Sequence, residues 1–462
     1  MKNSRRSFVK KLAAGALAAG MLPKNLSASE VKILEPEKKP ERRYSPNDKI
    51  RVAAIGLGIM GFNNCRTTVK VPGVELVATC DLYTGRLERS KELFGNHLFT
   101  TRNYKEILDR KDIDAVIIST SDHWHDHISI AAMKAGKAVY CEKPMVQHIE
   151  EGKAVIETQK MTGKTMIVGS QGVSGLVQKK ARELYLSGII GQLITAEAWN
   201  DRQSAGGAWQ YSIPTDASEK TVDWANFIGD APKRPFDPVR FFRWRNYRDY
   251  GTGVAGDLFV HLFSGLHNVL DSMGPERVYA TGGLRYWKDG RDAPDLIMAL
   301  LDYPEAKSHP AFNVQLRVNF TSGDGGGQKT RLVGSDGIIE LGWGAVTVRR
   351  HKVNTIPTYG GWDSFDTFSS AQQKEFVEWY SKKYPPLPPE IEEPAELVYK
   401  APENYSDDYE HHYNFYDCMR TGKTPVEDAV FGLRAAAPSL AANLSLFDQK
   451  VVKWDPVGMS LK

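Results

Sequence analysis

The sequence predicts an α/β protein: a parallel-sheet domain with helices on both faces, followed by a second domain on a mixed or antiparallel sheet. Three observations carry this. Between residues 49 and 170, short apolar runs alternate with helical stretches, the pattern of a buried parallel sheet. The first run ends in a glycine-rich turn, Gly56-Leu57-Gly58-Ile59-Met60-Gly61. Beyond Gly175 the apolar residues recur with period two, and few helices separate the later segments.

The first eleven residues read differently. Ser4-Arg5-Arg6-Ser7-Phe8-Val9-Lys10 is a twin-arginine signature, followed by an apolar run at 12–22 and a small-residue site at Asn25-Leu26-Ser27-Ala28. At roughly eleven residues the run is too short to span a bilayer, which takes about 20. Residues 1–28 are therefore expected to be an export signal read by the twin-arginine machinery. This predicts a folded, exported (periplasmic) protein with no membrane segment in its mature form. Residues 29–48, charged and proline-bearing, read as a tether.

The apolar runs of the first domain are 50–55, 74–79, 115–118, 138–140 and 165–168, with helical stretches including 104–108 and 127–134. The domain is expected to span 49–170. In the second, 171–462, period-two segments fall at 193–198, 277–281, 296–301, 314–320 and 338–341. Residues 350–408, rich in Pro, Tyr, Trp and Glu, read as an irregular insertion, and helices near 409–420 and 426–444 finish the chain.

The formal net charge of +4 sits in the leader, where Lys2, Arg5, Arg6, Lys10, Lys11 and Lys24 meet no acid. The remainder is slightly acidic, so charge gives no case for nucleic acid or an anionic membrane. The four cysteines, Cys65, Cys80, Cys141 and Cys418, lack CxxC spacing. Cys80 and Cys141 end apolar runs and read as small core residues.

The glycine turn follows a strand and opens a helix, the context that makes the motif specific. Gly56 makes the turn, Gly58 admits a pyrophosphate to the backbone, and Gly61 allows close helix–strand packing, with Ile59 and Met60 at the helix start. Asp81, at the end of the second run, suits the ribose hydroxyls and repels a 2′-phosphate. NAD is expected over NADP, with Arg86 nearby as the countersign. Lys143, in Cys141-Glu142-Lys143-Pro144, stands at the carboxyl end of the fourth run, where ligands of open parallel sheets bind. Gly256-Asp257-Leu258-Phe259-Val260-His261 sets a carboxylate and an imidazole four residues apart, on one face of a helix.

These pieces, with AVIISTSDHWHDHISIAAMKAGKAVYCEKP, NFYDCMRTGKTP and KVVKWDP, resemble the Gfo/Idh/MocA oxidoreductases across roughly residues 49–456. The resemblance implies a Rossmann dinucleotide-binding domain and a C-terminal α/β domain whose large, mostly antiparallel open sheet builds homo-oligomers, dimers or tetramers. It implies that His261 takes a proton from a carbohydrate or polyol hydroxyl, that Lys143 stabilises the alkoxide, and that Asp257 orients the hydroxyl. The family's usual Thr-Pro is Thr120-Ser121 here, and 350–408 is an insertion. Thr120, His123, His125 and Glu142 are expected beside the cofactor. Asp122-His123-Trp124-His125-Asp126-His127 also has the composition of a metal cluster, but its alternation scatters the side chains, and no metal is expected. Arg243, Trp244, Arg245 and Tyr250 offer planar donors and aromatic faces for a sugar; Trp199, Trp209 and Tyr211 offer further stacking surface or core.

Three functions fit: a sugar or polyol oxidoreductase that recycles tightly held NAD, a redox-neutral NAD-dependent glycosidase, and a non-catalytic sugar-binding protein. The intact Lys143, Asp257 and His261 argue against the third, and family frequency favours the first.

Overall fold

The computed structural model describes residues 31–37, 48–351, 353–384 and 396–462. The expected export signal lies outside the described residues.

A short strand β1 (Val31–Ile33) comes first. Six strands then alternate with helices: β2 (Ile50–Ile55), β3 (Val74–Cys80), β4 (Phe99–Thr101), β5 (Ala115–Ile118), β6 (Ala138–Cys141) and β7 (Met166–Val168). All pair in parallel, in the order β4-β3-β2-β5-β6-β7. Every residue of β5 and β6 is buried, because helices cover both faces and leave no solvent side to alternate toward. The order reverses at β2, and that switch point opens the crevice that Gly56 and Ser119 border.

The second sheet uses β8 (Leu193–Asp201), β9 (Arg277–Gly283), β10 (Leu296–Tyr303), β11 (Phe312–Asn319), β12 (Gly327–Gly334), β13 (Gly337–Gly342), β14 (Ala345–Arg350), β15 (Leu397–Lys400), β16 (Val452–Asp455) and β17 (Ser460–Leu461). With β1 it has eleven strands, in the order β1-β15-β14-β13-β12-β8-β11-β10-β9-β16-β17. Only β8–β11 and β1–β15 pair in parallel. β10 and β11 alternate buried and exposed residues, since helices cover a single face. The covering helices, Val260–Leu270 and the alanine-rich Ala429–Asp448, join one core with β9, β10 and β11.

Two expectations need revision, and two further features had no expectation. Part of the supposed tether is β1, which pairs with β15 and buries Leu34. The 350–408 segment is not wholly irregular, for it contains the helix Ser370–Lys383 and β15. β4 had no expected counterpart. The helix Asp407–Thr421 of the later part of the chain packs against the first sheet, with Phe415 and Tyr416 beside Val52, Ile117 and Tyr140. All four cysteines are buried and unpaired, and burial pushes the Cys65 thiol up to about 12.

Candidate active site

The glycine turn meets the demands of a dinucleotide site. Gly56 sits at φ +89°, and a Cβ there would lie 2.6 Å from the carbonyl of Ser119. A Cβ on Gly61 would lie 2.0 Å from the Gly56 oxygen. At Gly58 the same test finds nothing within 4 Å, so that position faces open cleft. Gly58 also caps the helix Ile59–Thr68 without any side-chain bond, leaving its first N–H groups to an anion. Asp81 accepts from Leu57 N (2.6 Å) and Tyr83 N (2.8 Å), with Arg86 at 3.4 Å. Each carboxylate oxygen has two lone pairs, so capacity for ribose hydroxyls remains.

A cavity of about 420 Å³ runs from Gly56, Gly58, Ile59 and Asp81 past Thr120 and Ser121 to Phe227, Trp244 and Arg245. A second, of about 870 Å³, holds Met60, Glu142, Lys143, Asp257 and His261. Ile59, Tyr211 and Arg245 line both, so the two are lobes of one cleft between the domains.

In the second lobe, Lys143 Nζ donates to both the carbonyl and Oδ1 of Asp257, each at 2.9 Å. Arg245 Nε donates to the same Oδ1 at 3.1 Å, and its guanidinium stacks 4.2 Å from the Trp244 ring. Burial opposes ionisation of Asp257, but Lys143 and Arg245 outweigh it and hold the carboxyl well below the usual range. Asp257 lies in a π-helical turn, Ala255–Phe259, that runs into the helix bearing His261. That wide turn frees a carbonyl for Lys143, as π-turns at functional sites do. Burial, reinforced by Lys143 and opposed by Asp257, lowers His261 to about 3. The imidazole is neutral near pH 7, with a lone pair to offer.

His123 and His125 do not face this cleft. Both are held by backbone carbonyls: His123 Nε2 meets Phe227 O at 2.8 Å, and His125 Nδ1 meets Pro144 O at 2.7 Å. Asp122 Oδ2 accepts from the N (2.9 Å) and Oγ1 (2.7 Å) of Thr252, whose side chain packs on Gly256. The loop after β5 thus fastens the Lys143 loop and the π-turn to each other. Tyr250 is also in a core, with Phe227 and Phe241, because its ring completes an aromatic cluster. Arg243 reaches back to the Tyr211 carbonyl at 2.8 Å. Trp209 is buried against Phe320 but borders the second lobe, as Tyr211 does. Sequence reasoning missed Arg202, Trp343, Tyr405, Asp407 and Asp408, all on the second lobe. Only Asn200-Asp201-Arg202 carried a signal, a polar triplet ending a period-two strand.

Fold and site together define a two-domain oxidoreductase fold with an NAD-binding first domain. Residues 50–170 match the family model described as the oxidoreductase family, NAD-binding Rossmann fold, and 224–340 match the GFO/IDH/MocA C-terminal domain. The chain belongs to the Gfo/Idh/MocA family. It is 32% identical over 214 residues (42% of this chain, 45% of the relative) to a glycosyl hydrolase family 109 protein of Shewanella baltica strain OS185. It is 31% identical over 242 residues (48% and 50%) to an α-N-acetylgalactosaminidase of Shewanella oneidensis. The chain thus matches about half the length of these curated relatives. The fold is also that of myo-inositol 2-dehydrogenase from Lactobacillus plantarum (TM-score 0.59, 19% identity, 88% of this chain and 99% of that one). An oxidoreductase from Agrobacterium radiobacter, solved with NAD+, L-tartaric acid and magnesium, gives a TM-score of 0.61 at 15% identity, over 89% of this chain and all of that one.

Proposed function

We propose that the chain is an NAD-dependent enzyme acting on a secondary hydroxyl of a glycoside, and that it cleaves the glycosidic bond without net oxidation. The carrying observation is the Lys143–Asp257–Arg245 cluster beside His261, in the lobe that adjoins the nucleotide cavity. NAD, when bound, supplies a reversible hydride acceptor. His261, neutral, takes the hydroxyl proton; Lys143 donates to the same oxygen as negative charge develops; Asp257 aims Lys143 and keeps it charged. A carbonyl formed at that carbon would acidify the neighbouring C–H; loss of that proton expels the aglycone as an alcohol and leaves a double bond. Water adds back across it, and return of the hydride to the carbonyl carbon restores the hydroxyl, so that the sum is hydrolysis with no net redox change. The names of the curated relatives support this outcome over net oxidation.

The oxidoreductase of sugars or polyols is the second reading, because the same four side chains serve it equally. We also propose export of the folded, NAD-loaded chain by the twin-arginine route, and self-association through the uncovered sheet face bearing Tyr279, Met298 and Leu300. The deciding experiment purifies the chain without added cofactor, measures NAD released on denaturation, and then supplies p-nitrophenyl α-N-acetylgalactosaminide. Near-stoichiometric NAD and phenol release without NADH accumulation support the glycosidase. Net NADH formation from a free sugar or polyol, with no phenol released, would overturn it in favour of the oxidoreductase.

A further inference from the structure

The second lobe extends well beyond the reacting groups. At about 870 Å³ it is near the upper end of small-molecule pockets, roughly 300–1,000 Å³. Its far wall is built by strand ends lying side by side. Asn200 and Asp201 of β8 pair with Gln328 and Gly327 of β12, and Thr330 of β12 pairs with Leu341 of β13. β13 then turns into β14 through Trp343 and Gly344, closed by the Gly342–Ala345 pair, with Gly344 at φ +66°. The Gly344 carbonyl accepts from Ala401 N at 2.8 Å, anchoring the turn to the segment that leads to Tyr405 and Asp407.

Trp343 is 84% exposed, a large apolar ring that the described residues leave uncovered. Trp362 is more exposed still but borders neither lobe of the cleft, whereas Trp343 is part of the catalytic lobe. Arg202, directly after β8, lines this lobe together with Asp257 and His261, so the reacting groups share it with the end of that strand. β12 and β13 lie one and two places further along, so Trp343 is about 10 Å across the sheet from it. That span exceeds one pyranose ring and suits two linked rings. Asn200 and Gln328, on the adjoining strands, and Asp407 and Asp408, elsewhere on the wall of the lobe, offer partners to sugar hydroxyls.

We propose that Trp343 is the stacking platform of a second sugar subsite, which holds the ring on the leaving-group side of an oligosaccharide. The apolar C–H face of a pyranose lies on the indole while its hydroxyls meet the polar rim. The proposal rests on the glycoside reading above, and the test separates the two. The full NAD-loaded chain and its Trp343→Ala and Trp343→Phe variants are assayed on two probes. One is methyl α-N-acetylgalactosaminide; the other is the disaccharide in which that sugar is α-linked to galactose.

Trp343→Ala is expected to lower kcat/KM on the disaccharide by about tenfold, the scale of one aromatic stacking contact, and to leave the methyl glycoside within about twofold. Trp343→Phe restores most of the loss. Equal losses on both probes, or an unchanged disaccharide rate, would overturn the subsite while leaving the glycosidase intact. If the unaltered chain cleaves neither probe, the glycoside reading fails and the subsite falls with it.

Discussion

Gly58 and Gly61 lie three residues apart in one turn, yet the structure predicts opposite consequences for giving each a methyl group. At Gly58 the backbone is extended (φ −69°, ψ −164°), a conformation alanine adopts without strain, and the added Cβ meets no protein atom within 4 Å. Two small terms of opposite sign act on stability. A poorer N-cap costs about 0.5–1 kcal/mol, and the stiffer unfolded chain returns about 0.4–1 kcal/mol. Gly58→Ala should therefore unfold in urea like the parent. NAD binding should fall by about 10- to 100-fold, because the methyl occupies the approach to the helix N–H groups, and one charge-assisted bond is worth about 1.5–3 kcal/mol. Gly61→Ala places its Cβ 2.0 Å from the Gly56 oxygen, so helix and strand must separate. Overpacking of that kind costs about 1–3 kcal/mol. Equilibrium dialysis with NAD and urea unfolding of both variants give four numbers. A Gly58→Ala chain that binds NAD as tightly as the parent would refute the placement of the pyrophosphate on this turn.

Asp257→Asn keeps the shape but leaves the buried Lys143 and Arg245 without their anion. It should lose about 3 kcal/mol of stability and at least about 100-fold in turnover, with NAD affinity unchanged, as dialysis would check. Burial and the neighbouring Asp408 lift Asp407 to about 6 from an unperturbed 3.8. The folded state then holds that proton more tightly than the unfolded one, so stability falls as pH rises from about 4 through 6. Asp407→Asn removes this penalty and should be more stable than the parent at pH 7.5 but not at pH 4; an equal difference at both values sinks the argument. His412→Ala strands the side chains of Asn64 and Thr68 and should cost about 2–4 kcal/mol in urea unfolding; a loss under about 1 kcal/mol would place these groups in contact with water.

The parallel sheet and the glycine turn were legible because their causes are local: consecutive apolar residues, then glycines where backbones must meet. β1 was not, since Val31–Ile33 becomes a strand only by pairing with β15, at the far end of the chain. β4 is three residues, Phe-Thr-Thr, too short for a period to register. The spacing of Asp257 and His261 suggested one regular helix face, whereas Asp257 sits in a π-turn whose extra width a residue pattern does not encode. His123 and His125 of the loop after β5 suggested a cleft lining. Their partners are backbone carbonyls of other segments, which only the folded chain brings near.

The same lesson applies to Glu142, whose neighbours explain why the last helices belong to the site. Burial raises its pKa, and Asn64 opposes this by donating to Oε1 at 2.9 Å. The Asn64 amide can aim its nitrogen there only if its oxygen meets a donor, and His412 Nε2 stands 3.2 Å from it. Burial lowers His412 to about 3, so the ring is neutral and carries a single N–H. With that hydrogen on Nε2, Nδ1 must accept, and Thr68 Oγ1 lies 2.9 Å away. Thr68 in turn accepts from the Tyr416 hydroxyl at 3.0 Å. Every donor in this buried chain therefore points the same way, from Tyr416 toward the cleft, and reversing any one of them leaves two groups unsatisfied. The helix Asp407–Thr421 thus sets the orientation of Glu142 from behind while its first residues, Asp407 and Asp408, wall the lobe in front. A segment remote in sequence holds both sides of the reacting region at once, which is why cutting the chain at residue 170 would leave neither domain with a complete site.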